Sequence, residues 1–266
     1  MKKLLIVCAA VLLGINSASA QDYDVDDLGI FNHFSLGVGL GTTGISLEAA
    51  APITPYVAVR GGVNIFPSVK YDTDLDTDFG QGAQYATNIP DKIDVQGKLS
   101  FTTGHLLFDV FPFKSSSFHL TAGAYFGKDQ IVDVYNKEPG ALMEITQFNN
   151  RQGQYAAVPA SAGQIGLELG DYFLTPDNNG NVDAKIKVKG FRPYVGLGFG
   201  RPVPMKHRFT CNFDMGVQIW GKPEVYLRDQ KLTSQDLDGD GGDIIKTVSK
   251  VSVWPVLNVR LVGRIL

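Results

Sequence analysis

Cysteine is almost absent. The 266-residue chain has two, and Cys8 lies in an N-terminal stretch that reads as a removable signal, so Cys211 has no partner for an internal disulfide. An exported chain of this size without disulfides needs a large core or a membrane as its source of stability. Long apolar runs are also missing. After Ala20 no stretch is continuously apolar over the roughly 18 residues that mark a transmembrane helix. If the chain crosses a bilayer it must do so as a closed barrel, because lipid offers no partner to a free strand edge. Basic excess is missing as well: 24 Lys and Arg stand against 27 Asp and Glu, which leaves no electrostatic footprint for nucleic acid.

The first 20 residues have the grammar of an export signal. Lys2 and Lys3 precede an apolar run from Leu4 to Ile15, broken only by Gly14, and Ala18-Ser19-Ala20 supplies small residues at the −3 and −1 positions of a cleavage site. Cys8 follows Val7 inside the apolar run, which does not fit lipoprotein processing. Cleavage before Gln21 removes two lysines and leaves 22 basic against 27 acidic side chains, a net charge of −5.

What the chain has in abundance is period-two alternation, with 30 glycines and 11% aromatic residues. Phe34, Leu36, Val38 and Leu40 alternate with small or polar residues, as do Ile45, Leu47, Ala49 and Ala51, and then Val57, Val59, Val63 and Ile65. The Pro52-Ile53-Thr54-Pro55 turn separates the last two, since proline cannot donate to a ladder. A fourth strand is expected over roughly 95–111, with a β-bulge where its phase slips at Thr102-Thr103-Gly104. A fifth carries Phe118, Leu120, Ala122, Ala124 and Phe126. A sixth ends on Val195, Leu197 and Phe199, a seventh runs from Phe209 to Ile219, and an eighth closes the chain through Val253, Leu257, Val259 and Leu261. Residues 141–148 and 164–169 could add a hairpin and make ten.

Alternation alone does not say which face points inward. In a soluble barrel the greasy face is inside; in a membrane barrel it meets lipid and the polar face fills the lumen. Two features favour the second arrangement. Gly37, Gly39, Gly62, Gly123, Gly196, Gly198 and Gly216 lie on the polar face, where they cover nothing if exposed but leave room for large side chains in a narrow lumen. The connections also alternate in length. Short Pro-rich turns follow strands two, four and six, while the connections over roughly 67–93, 128–182 and 221–251 are long; only Thr42-Thr43 is a short one on the long side. Short periplasmic turns and long outer loops are how such barrels are built.

On these residues the chain resembles the small outer-membrane β-barrel proteins of Gram-negative bacteria, the OmpA-, OmpX- and OmpW-like eight-stranded barrels. The stretch from Gly104 to Phe113, followed by Phe118 to Tyr125, is similar to a strand-turn-strand of such barrels, although this chain ends Arg264-Ile265-Leu266 where they usually end on an aromatic residue. The resemblance implies an all-β, antiparallel up-and-down transmembrane barrel. Residues 1–20 would be its signal peptide, 21–30 a short periplasmic segment and 31–266 the barrel. It also implies an outer-membrane location, contact with membrane lipid and lipopolysaccharide, and passage through the barrel-assembly machinery.

Candidate chemistry is sparse. Asp236, Asp238 and Asp240 with Gly241 open like an EF-hand calcium loop, but position 12 is Thr247 rather than the bidentate Glu the site requires; a solvated polar loop is the plainer reading. Asp72, Asp74, Asp76 and Asp78 alternate in the first long connection. His33, His105, His119 and His207 are scattered, with no Ser/His/acid cluster of the kind a lipid-modifying barrel enzyme would use. Glu48, Arg60, Arg208, Asp214, Arg260 and Arg264 fall on the lumen phase. An eight-stranded barrel is only wide enough for side chains to fill it, so these charges are expected to pair as a lumen network. Phe111, Phe113, Phe118, Phe191, Tyr194, Trp220 and Trp254 are expected in interfacial girdles. The favoured function is non-enzymatic, in envelope structure, adhesion or small-ligand passage, with no cofactor beyond weak calcium; the alternatives are a lipid A-modifying barrel enzyme and a soluble exported β-barrel binding protein.

Overall fold

A computed structural model describes residues 24–86, 88–114, 116–151, 163–169, 172–232 and 252–265. Eight strands close into one antiparallel up-and-down barrel: β1 (Ser35–Gly41), β2 (Gly44–Thr54), β3 (Val57–Ile65), β6 (Thr102–Val110), β7 (Phe118–Gly127), β12 (Phe191–Phe199), β13 (Phe209–Ile219) and β16 (Val253–Arg264). Each pairs with the next in chain order, and β1 pairs with β16 to close the ring. The numbers missing from this series belong to strands in the long connections.

The alternation resolves with its greasy phase outward. Leu36 is 56% exposed, Leu47 53%, Val195 53% and Val259 50%. The intervening Glu48, Arg60, Asn212, Asp214 and Arg260 are buried. In water this is an inverted protein. Beside acyl chains it is the ordinary arrangement, with apolar side chains in an apolar solvent and polar ones satisfied inside. The tight connection Thr42-Thr43 works because Gly44 takes a φ of +94° and presses against the Ile65–Phe66 backbone, where any Cβ would overlap it.

The described residues of the long connections carry regular structure of their own. They form a second antiparallel sheet, a cap, from β4 (Val69–Asp78), β5 (Lys92–Leu99), β8 (Gln130–Asn136), β9 (Gly166–Leu169), β10 (Tyr172–Leu174), β11 (Asp183–Lys187), β14 (Glu224–Leu227) and β15 (Gln230–Lys231). Its strand order is β10-β9-β4-β5-β8-β11-β14-β15. The helix α1 (Met143–Arg151) packs Ile145 and Phe148 into the same core as Leu75, Val95, Val134, Leu167 and Ile186. The possible hairpin at 141–148 is therefore this helix: Leu142, Ile145 and Phe148 recur every three residues, a helical spacing. Its expected partner, 164–169, pairs in the cap as β9, and the barrel keeps eight strands.

The expected bulge at Thr102–Gly104 is also absent. The β3–β6 register is continuous from Val57↔Val110 to Ile65↔Thr102. The phase slips because the chain leaves the cap sheet at Leu99 and enters the barrel at Thr102, with Ser100 bonded to Ile131 and Phe101 to Phe66 on the way. The alternating aspartates of β4 occupy the polar face of the cap. There Asp72 meets Gln96 and Lys137, Asp76 meets Lys92, and Asp74 lies opposite Asp94.

Candidate functional site

The densest set of buried polar side chains lies inside the lumen. At its centre, β2 supplies Glu48, β3 Arg60, β6 His105 and Asp109, β7 His119, β13 Asp214 and β16 Arg260. Each lies on the inward phase of its strand, and all are buried. The Arg60 guanidinium faces three carboxylates: Nε lies 2.9 Å from Asp109 Oδ2, Nη2 donates to Asp214 Oδ1 at 2.9 Å, and Nη1 lies 3.6 Å from Glu48 Oε2. Arg260 completes the set, with Nε 2.6 Å from Asp214 Oδ2 and Nη1 bonded to Glu48. His119 Nε2 lies 3.1 Å from Asp214 Oδ1 and His105 Nε2 3.5 Å from Glu48 Oε2. Thr121 donates to Asp109 at 2.7 Å. Buried charges persist only when paired and hydrogen-bonded, and the planar, five-donor guanidinium is the group able to hold several carboxylates at once.

Glycine makes the room. A Cβ on Gly198 would stand 2.6 Å from His119 Nε2 and 2.8 Å from Asp214 Oδ1. One on Gly216 would stand 2.6 Å from the Tyr194 hydroxyl. Among the charges packs a cluster of Leu107, Tyr125, Tyr194 and Val256, Leu107 directly opposite Arg60 and the two tyrosine rings meeting edge to face at 5.4 Å.

Side chains of the described residues pack at both ends. Toward the cap, Trp220 and Trp254 stack at 4.7 Å, Phe101 meets both edge-on, and Arg192 lies over the Trp220 ring. Trp254 touches both the tyrosine cluster and the cap core, so the two hydrophobic units are continuous. At the opposite end the 200–208 turn folds under the barrel, with Pro202, Val203, Pro204 and Met205 buried. Arg201 is pinned there: Nη1 donates to Pro55 O, the other amino group to Lys114 O, and the guanidinium covers the Phe111 ring.

Of the six charges expected in the lumen, Glu48, Arg60, Asp214 and Arg260 form the network. Arg264 is buried but lies at the short-turn end, donating to the carbonyls of Pro204 and Met205. Arg208 is exposed, one residue before β13 begins, because the strand phase does not extend into the turn. Asp109, His105 and His119 complete the cluster and went unnamed as members, although their alternation with Phe108, Leu106 and Leu120 carried the signal. The girdle assignment is corrected for Phe111, Tyr194, Trp220 and Trp254: the first three are at most 2% exposed, and Trp254 packs in the seam below the cap. Phe113 and Phe191 do face outward. Among the described residues no group of three or more His, Cys, Asp or Glu side chains could hold a metal ion. Asp236, Asp238 and Asp240 lie outside the described residues.

A closed antiparallel barrel of eight strands, lined with polar groups and greasy without, defines the class: a small β-barrel of the outer-membrane type. Among solved structures the chain is similar to the crystal structure of Acinetobacter baumannii CarO2, with a TM-score of 0.47 and 16% identity over 88% of this chain and 98% of that one. It is also similar to the crystal structure of Acinetobacter baumannii CarO, with a TM-score of 0.45 and 13% identity over 90% and 98%. No protein-family model matches the chain, and no curated protein sequence matches it.

Proposed function

We propose that this protein is a non-enzymatic, plugged barrel of the outer membrane whose role is to anchor a folded β-cap at the cell surface, in envelope structure or adhesion rather than as a standing pore. One observation carries the reading: the charges on the lumen axis are paired with one another and buried, between a tryptophan seam at one end and a folded turn at the other. An aqueous path would hydrate such charges instead of pairing them. A lipid-modifying reaction is disfavoured by the same burial. His119 has no exposed surface, and its polar partners are Asp214, Asp109 and a backbone carbonyl, not a serine hydroxyl.

The test is electrical. The purified full chain, refolded into planar lipid bilayers, should insert without steady single-channel conductance. A stable open level from the unmodified protein would overturn the plugged reading.

A further inference from the structure

The short-turn rim carries a second feature that the plug does not use. A cavity of about 240 Å³ opens there, lined by Arg201, Lys206, His207, Ser117 and Thr210 on its polar side and by Val25, Pro204, Met205 and Phe209 on its apolar side. Among the described residues no carboxylate lines it. Lys206, His207 and Arg208 are exposed in sequence, directly before the first residue of β13. This puts them level with the end of the greasy belt, where a bilayer's headgroups lie. Among the described residues neither Arg201 nor Lys206 has an acidic side chain within ion-pair distance; the lysine on the adjoining turn, Lys114, is already held by Asp26 at 2.6 Å. Arg201 spends donors on two backbone carbonyls, which fix its position without neutralising it, and burial alone pushes its pKa below the usual arginine range. A guanidinium, an ammonium and two hydroxyl-bearing residues around one hollow, with an apolar wall beside it, match a phosphate joined to an acyl chain. Guanidinium and ammonium groups are the standard partners of phosphate oxygens.

We infer that this cavity binds the phosphate headgroup of an anionic phospholipid in the leaflet that meets the short turns, on Arg201, Lys206 and His207. The inference rests on the membrane-spanning reading above. Its consequence is an asymmetric barrel, with one rim fixed to anionic lipid and the other under the cap.

The test uses the full chain in mixed micelles, with phosphatidylglycerol or phosphatidylcholine added in separate arms and inorganic phosphate in a third, read by native mass spectrometry. Phosphatidylglycerol should remain bound in preference to phosphatidylcholine. Lys206→Ala should lower that retention about five-fold, the value of one cation near an anionic lipid surface, and Lys206→Glu should lower it further. Arg201→Lys, which keeps a charge at the site, should retain more lipid than Lys206→Glu. Inorganic phosphate retained as well as the lipid would overturn the lipid assignment in favour of a free-phosphate site. Equal retention of both lipids, or no effect of Lys206→Glu, would overturn the inference while leaving the barrel intact. Failure of the chain to insert into bilayers at all would instead defeat the reading on which it rests.

Discussion

Removing one side chain from the lumen tests whether the charges hold the barrel together. In Arg60→Met the volume is nearly kept and the guanidinium is lost. Arg260 still holds Glu48 and Asp214, but Asp109 loses the cation 2.9 Å from its Oδ2. Among the described residues it keeps the Thr121 hydroxyl and His119 at 4.0 Å. Breaking a buried pair by removing one partner costs about 3–5 kcal/mol, because the remaining charge stays out of water without compensation. Pairing that variant with Asp109→Asn removes the stranded charge and should return about 1–3 kcal/mol, the penalty of an unsatisfied buried polar group. The assay is urea unfolding in lipid vesicles followed by tryptophan fluorescence. The protein has two tryptophans, and both sit in the seam above the lumen, so the signal reports closure of the barrel directly. An Arg60→Met variant within about 0.5 kcal/mol of the parent, a typical change for an inert surface site, would refute the argument. So would a double variant less stable than the single one by the full cost of a second independent mutation.

Two further outcomes are expected. Asp74 lies directly opposite Asp94 on the polar face of the cap, and that neighbour raises its pKa above the ordinary aspartate value. The folded form therefore binds the proton more tightly than the unfolded one, and the pair's repulsion grows as pH rises through the raised value; Asp74→Asn should raise the cap's melting temperature at pH 7, most at low salt, and leave it unchanged at pH 3, as measured by thermal scans at the two pH values. Gly198→Ala places a methyl against His119 and Asp214 and should prevent formation of the compact, fast-migrating band on unheated gels, whereas Gly61→Ala, whose nearest neighbour is the His105 carbonyl oxygen at 3.5 Å, should give the parental band.

The barrel was legible in the sequence because a period of two is imposed residue by residue. Lipid on one side and a narrow lumen on the other leave no position undecided, so Leu36, Leu47 and Val195 could be assigned to the outside and Arg60 and Asp214 to the inside without any knowledge of neighbours. Membership of the charge network was only partly legible. Phase says that Asp109 and His119 point inward, but which cations they reach depends on the register of strands far apart in sequence, such as the Gly198↔His119 and Asn212↔Arg260 pairings. Arg208 marks the opposite limit: phase was carried one residue past the strand end, into a turn that obeys no period. The aromatic residues failed for a related reason. Composition places Tyr194, Trp220 and Trp254 equally well in a girdle or a lumen, and parity with Val195 and Ile219 was the evidence that separated the two. The cap was least legible of all. Several of its strands are short, β15 being two residues and β10 three, and its polar face bears Asp72, Asp74 and Asp76, which in isolation read as solvated loop. What makes them a sheet is the buried side: Leu75 against Ile93, and Val134 against Ala184. Those residues come from two separate connections that share no local signal. The barrel brings these connections to one rim, where their apolar residues share a single core.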